Sequence, residues 1–181
     1  KQWSYPLQSK ADLQPLFDRI GDARIVMLGE ASHGTHEYYT WRTHISKKLI
    51  EEKGFNFIAV EGDWPDCYRL NRFVKGYDTD NKSAFKVLHA FNRWPTWMWA
   101  NWEMVALANW MKEFNKSKPV NKKAGFYGLD VYSLWESMES IMAYLEKTDK
   151  VALELARDAF KCFEPFQNDE GRAYTHASQL V

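Results

Sequence analysis

Cysteine is scarce: Cys67 and Cys162 are the only two in 181 residues, and they sit far apart in no zinc or redox spacing. Two reduced, packed thiols suit a cytosolic protein, so the expected compartment is cytoplasmic and no bridge is expected. Net charge is also missing, because 24 Lys and Arg balance 24 Asp and Glu. That removes any global electrostatic case for nucleic acid or an anionic membrane as partner. No apolar run approaches the length of a bilayer span. The opening stretch, Lys1 to Lys10, lacks the apolar core of a signal peptide, and the absence of an initiator Met points to a trimmed chain. A nucleophile elbow is absent too: Ser32 has Ala31 before it and His33 after it, which gives a serine-hydrolase mechanism no support. There is no phosphate-cradling glycine loop, internal repeat or low-complexity tract.

What remains is enough for one domain with its own core, unaided by disulfide or structural metal. Nine Trp residues and 16% aromatics exceed ordinary usage. Most of these rings are expected in the core, with a surplus left for a ring-lined cleft. The apolar run Ile25 to Leu28 reads as a short strand over Arg24–Leu28, buried on both faces of a parallel sheet. Thr35 then caps a helix to about Lys53, with Tyr38, Trp41, Ile45 and Leu49 as its stripe and Gly54 as its stop. Phe55 to Val60 gives a second strand and completes a βαβ unit. Pro65 opens a helical stretch to about Val74, Gly76 to Asp80 is a loop, and Ser83 caps a short helix. Pro95 precedes a longer helix over roughly Trp97–Asn115. Ala124 to Leu129 is the third strand, followed by helices over about Ser133–Glu146 and Lys150–Phe163 and an irregular stretch from Pro165 to Val181. The expected fold is α/β, a mostly parallel sheet flanked by helices with the active site at the C-terminal strand ends. Three strands are few for such a sheet. Residues 1–181 are therefore expected to be a single α/β domain, the front part of a larger fold.

Each expected strand runs into acid. Glu30, Glu61 with Asp63, and Asp130 follow the three apolar runs, and in a parallel sheet those ends share one edge where ligands bind. Crowded carboxylates repel, so at least one must be paired with a cation, protonated or metal-bound. Between the first strand and its helix lies Gly29-Glu30-Ala31-Ser32-His33-Gly34-Thr35-His36-Glu37. His33 can face the crevice there, and imidazole suits a general base that takes a proton from water. Glu30 or Glu61 can hold its other ring nitrogen. Arg42, about two turns into the helix on its buried face, leans back toward the acids, since helical side chains point to the N-terminus. It can pair with Glu30 or Glu61, or hold a developing oxyanion. A buried ion pair without a catalytic part is the plainer alternative. His36 is three residues from His33, a spacing that also suits two metal ligands. His44 reads as surface or satisfied core, and His89 and His176 have no supporting context. In the aromatic stretch Phe91 to Glu103, Trp99, Trp102 and Glu103 fall on one expected helical face. Most of these rings should pack on the sheet, while Trp97 and Trp99 line a pocket for a bulky substrate with Asp130 and His36.

Four segments in this order carry a resemblance. Gly29-Glu30-Ala31-Ser32-His33-Gly34-Thr35 with Arg42, Val60-Glu61-Gly62-Asp63-Trp64-Pro65, Trp94-Pro95-Thr96-Trp97-Met98-Trp99 and Gly125-Phe126-Tyr127-Gly128-Leu129-Asp130 together resemble the erythromycin esterase family, across about residues 24 to 150. The resemblance implies that His33 is the general base activating water against a macrolide lactone, with Glu30, Arg42 and Glu61 in supporting positions. It also implies a protein about twice this length, whose second half adds another catalytic histidine that His176 does not match. The expected function is thus a metal-independent carboxylic ester hydrolase with a small-molecule, macrolide-like substrate and no cofactor. The alternatives are a hydrolase using the same His and Glu residues to hold a divalent metal, and a non-catalytic module that binds bulky apolar ligands. Oligomeric state is not legible.

Overall fold

The computed structural model describes residues 4–78, 83–91, 95–130 and 133–166. At its centre two parallel strands pair, β1 (Phe57–Asp63) and β2 (Gly125–Asp130), with Phe57 opposite Gly125 and Val60 opposite Gly128. A short 3₁₀ turn (Lys10–Leu13) leads into α1 (Gln14–Ile20), and α2 (His36–Lys53) precedes β1. Between the strands lie α3 (Trp64–Val74), α4 (Ala84–His89) and α5 (Trp102–Lys116); α6 (Leu134–Thr148) and α7 (Lys150–Phe160) follow β2. The fold is α/β, as the alternation of elements predicts.

Two apolar cores hold these parts. In the larger one Cys67, Leu70 and Val74 of α3 meet Met104, Leu107 and Met111 of α5 over Phe126 of β2. The smaller joins Leu13 and Phe17 to Ile45 and Leu49 of α2, with Val26 and Leu28 packed on it. Cys67 sits inside the larger core, where burial, then the nearby acids, push its thiol up to about 12; both cysteines are free thiols.

Several expectations match closely. α2 stops at Gly54, and the Ser83 Oγ accepts from the Lys86 amide at the start of α4. Others are corrected. Arg24–Leu28 makes no ladder, so the chain has two strands among its described residues rather than three. Its apolar run suggested burial on both faces, yet Ile25 and Met27 are 79% and 91% exposed and only Val26 and Leu28 pack inward. A strand needs a hydrogen-bonded partner, and a hydrophobic pattern shows only which face is covered. The long helix α5 begins at Trp102, not Trp97. Asn101 is the cap, its Oδ1 accepting from the Met104 amide at 2.9 Å, and a 3₁₀ turn over Thr96–Met98 comes first. On α2 the buried residues are Tyr39, Ile45, Leu49 and Ile50, whereas Tyr38 faces solvent. The tail beyond residue 166, His176 included, lies outside the described residues, as do residues 79–82 and 92–94.

Two buried asparagines tie the outer side of β2 to its helices. Asn115 donates to the Val74 and Ala124 carbonyls at 2.8 and 2.9 Å, and its Oδ1 accepts from the Ala124 amide at 2.7 Å. Asn71 accepts from the Phe126 amide at 3.0 Å. Replacing Asn115 with Ala strands one amide and two carbonyls in the core, each costing about 1–3 kcal/mol. The expected loss is about 3–5 kcal/mol, read as a lower urea midpoint; a midpoint within error of the native chain refutes this account.

Candidate active site

The loop between residue 30 and α2 holds the imidazole of the candidate site. Gly34 has φ of 77°, the left-handed region, and a Cβ there would press into the Trp97 ring. This sharp turn is steadied by the Ser32 and Thr35 hydroxyls, 2.8 Å apart. Thr35, the expected N-cap, precedes α2 but spends its side chain on Ser32 and not on a cap bond.

His33 is thereby set with one ring nitrogen on each side of a short relay. Its Nδ1 lies 2.6 Å from Glu30 Oε1, and Arg42 Nη1 lies 2.8 Å from Glu30 Oε2. Glu30 has only 9% of its side chain exposed, so its charge requires these partners. Its i,i+3 relation to His33 and the backward lean of Arg42 from α2 make both contacts local. The other nitrogen, Nε2, stands 4.0 Å from Glu61 Oε2, and Glu61 is 67% exposed. The four residues singled out by the sequence thus meet. A water about 2.8 Å from both Nε2 and Glu61 fits that open side.

Rings brace the arrangement from behind. The Arg42 guanidinium lies 4.6 Å from the centre of the Tyr39 ring and 5.7 Å from that of Trp99. The Trp99 indole N–H donates to the Glu61 carbonyl at 2.6 Å, and the ring meets Tyr39 and Phe126 edge-on. Tyr39 is buried, and burial raises its hydroxyl pKa above the ordinary value. Sequence reasoning missed Tyr39. The signal was there in its i,i+3 spacing from Arg42, which stacks the two side chains on one helical face.

The remaining expected residues are distributed differently. Trp99 is 9% exposed; its ring forms part of the wall of a cavity of about 1240 Å³, and its polar edge is spent on Glu61. Trp97 and His36 border a separate hollow of about 340 Å³ with Gly34, Tyr39, Asn101 and Glu103. There His36 Nδ1 pairs with Glu103, which ties the start of α2 to the start of α5. Trp102 does not share a buried face with Trp99; it is exposed and stacks on Phe85. Asp130 lines neither cavity. It ends β2 opposite Asp63, and both raise the Cys67 thiol. The four acids therefore split into two pairs, Glu30 with Glu61 around His33, and Asp63 with Asp130 beside α3. His44 packs edge-on to Trp41, and burial, then Lys10 and Lys47, lower its pKa. His89 lies against the Phe85 ring. Among the described residues no three His, Cys, Asp or Glu side chains gather as a metal cage. In the cluster itself Arg42 already occupies the Glu30 oxygen that a cation would need.

The profile of the erythromycin esterase family matches residues 50–180. The chain belongs to the erythromycin esterase family. Glu61 falls within the matched stretch, while Glu30, His33 and Arg42 precede it. Alignment with family relatives reaches further forward. The chain is 29% identical over 161 residues to "Erythromycin esterase type II" of Escherichia coli, covering 87% of this chain and 36% of that protein. It superposes on the crystal structure of a succinoglycan biosynthesis protein with a TM-score of 0.70 at 28% identity, covering 89% of this chain and 40% of the other. A Bacillus cereus protein gives 0.69 at 28% identity, covering 90% and 38%. The chain thus spans little more than a third of the length of these relatives.

Two predictions follow from the supports. Trp99→Phe keeps the ring but deletes the donor to Glu61, and is expected to cost about 1–2 kcal/mol, whereas Trp99→Ala costs about 3–5 kcal/mol; equal urea midpoints for the two variants contradict this division. At the second hollow, burial works to raise the Glu103 carboxyl, but the His36 hydrogen bond, the backbone amide and the His36 charge together hold it below its ordinary 4.5. A carboxyl lowered on folding contributes stability above about 4.5 and loses it as pH falls through the folded value. The melting-temperature gap between native chain and Glu103→Gln should accordingly close on acidification; a gap that widens below pH 4.5 reverses the sign.

Proposed function

We propose that this chain is the front part of a longer ester hydrolase, in which His33 activates water without a metal. The observation that carries this reading is the Arg42–Glu30–His33 relay, with contacts of 2.8 and 2.6 Å, which leaves Nε2 facing Glu61 across an open gap. Glu30 fixes the tautomer by accepting from Nδ1–H, so Nε2 carries the lone pair that takes a proton from water. The water oxygen forms a bond to the ester carbonyl carbon as its proton passes to Nε2, and the carbonyl electron pair moves to oxygen. Collapse of that tetrahedral species breaks the carbon–alkoxide bond, and the proton on Nε2 leaves with the alcohol. Acid and alcohol are the products, and the imidazole is restored.

Glu61, solvated and near Nε2, orients the water. Arg42 pairs with Glu30 and keeps it in place, and its seat on Tyr39 and Trp99 favours this part over a direct hold on the oxyanion. A bulky lactone of the macrolide kind is the substrate class favoured by the family.

His33→Asn is expected to lower macrolide-lactone hydrolysis by about 10³-fold or more and Glu30→Gln by about 10²-fold, each variant still folded at the assay temperature, in a polypeptide extended to the family's length. Hydrolysis should persist after treatment with a chelator. Normal turnover by His33→Asn would falsify the general-base assignment. Loss of turnover on chelation, restored by added metal, would favour the metallohydrolase, and macrolide binding without product a binding module.

A further inference from the structure

The two outer edges of the sheet differ. At the start of β2 the amides turned away from β1 are used, that of Ala124, just before the strand, by Asn115 and that of Phe126 by Asn71. On β1 the Asn56 carbonyl accepts from the Gly125 amide at 2.9 Å, so the even-numbered groups of this strand face β2. Strand alternation then turns the backbone groups of Phe57 and Ala59 toward the opposite edge. No strand pairs with that edge among the described residues.

On the far wall of a cavity it shares with β1 lies segment 25–30, whose residues alternate between exposed and partly covered as those of an extended stretch do, likewise without a ladder. The two stretches run in the same direction: just ahead of their starts the Lys53 Nζ donates to the Gly21 carbonyl at 2.9 Å, and at their ends Glu30 and Glu61 both approach His33. Between them lies the 1240 Å³ cavity, which also takes in Leu49, Ile50, Met104 and Leu107 from α2 and α5. Two extended walls with unspent backbone groups, over an apolar floor, are what an absent middle strand leaves behind. The length of the relatives shows that most of the family polypeptide lies outside the aligned region.

We infer that the cavity is an insertion slot for a parallel, predominantly apolar β-strand from that unaligned part of the family polypeptide. Seated between segment 24–30 and β1, it makes a four-stranded sheet, with the two walls about 9.6 Å apart. Its C-terminal end arrives between Glu30 and Glu61. The inference concerns the sheet and stands apart from the esterase reading.

The test is residue-resolved hydrogen exchange on the chain alone and on the chain fused at Val181 to the remainder of the Escherichia coli relative. In the fusion the Phe57 and Ala59 amides, and alternate amides of 25–29, should slow by at least about tenfold, while Ile58 and Val60 are slow in both. Equally fast exchange at Phe57 and Ala59 in both polypeptides overturns the slot. So does a disulfide between Met27→Cys and Ala59→Cys in the fusion carrying Cys162→Ser, because directly paired strands would bring those Cα atoms within the roughly 7 Å limit of a bridge. If the free chain instead gains this protection at high concentration and sediments as a dimer, the slot belongs to a second copy and the proposal fails.

Discussion

A carboxylate that is nine-tenths withdrawn from water sets the terms for everything around it. Glu30 lies between Arg42 and His33, and removing either contact leaves charge in a poorly solvated place, at a cost on the order of 3–5 kcal/mol for a buried partner. The loop must therefore bend back at Gly34 and α2 must start where it does, so that Arg42, two turns in, leans onto the second oxygen. The imidazole orientation is a consequence of this electrostatic requirement and needs no further device.

The requirement spreads into the core through rings. Arg42 can stay over Tyr39 and Trp99 only because those rings are themselves wedged against Phe126 and the larger core. Trp99 also grips the Glu61 carbonyl, so one indole spaces the α2 side of the cluster from its β1 side. Close approach of the strands adds to the same control. A Cβ at Gly128 would collide with the backbone of Gly62 and Asp63, so glycine there lets β2 press against the end of β1 just past Glu61. The place of the Glu61 backbone beside the relay is thus fixed by packing, and its carboxylate reaches toward Nε2 from there.

Much of this was legible in the residues. The strand at Gly125–Asp130, the capped α4, the stop at Gly54 and the meeting of Glu30, His33, Arg42 and Glu61 follow from local pattern, because each depends on neighbours close in sequence or on a shared strand end. What escaped depends on partners that pattern does not encode. The apolar run at 25–28 looks like a strand, but a ladder belongs to two segments, and no described segment pairs with this one. Trp97 looked helical because aromatics continue through it, while the cap that decides the start is Asn101. Tyr38 and Tyr39 are adjacent, and only the placement of Arg42 determines which of them turns inward. The Glu103 contact to His36 spans 67 positions and has no local signature at all.

The two acids nearest the imidazole are unequal, and that inequality bears directly on mechanism. Glu30 is enclosed and committed on both oxygens, while Glu61 is two-thirds exposed and committed chiefly through its backbone. Carboxylates in such different surroundings do not share one task. The enclosed one has no freedom to move with a reacting substrate, which suits holding a ring still. The solvated one keeps side-chain freedom and a hydration shell, which suits meeting a water that must be spent and replaced each turnover. Exchanging the roles would ask the buried acid to abandon Arg42, and the cost of stranding that guanidinium exceeds what a single hydrogen bond to water returns. The direction of the relay, from Arg42 through Glu30 to His33 and outward to Glu61, therefore follows from solvation alone.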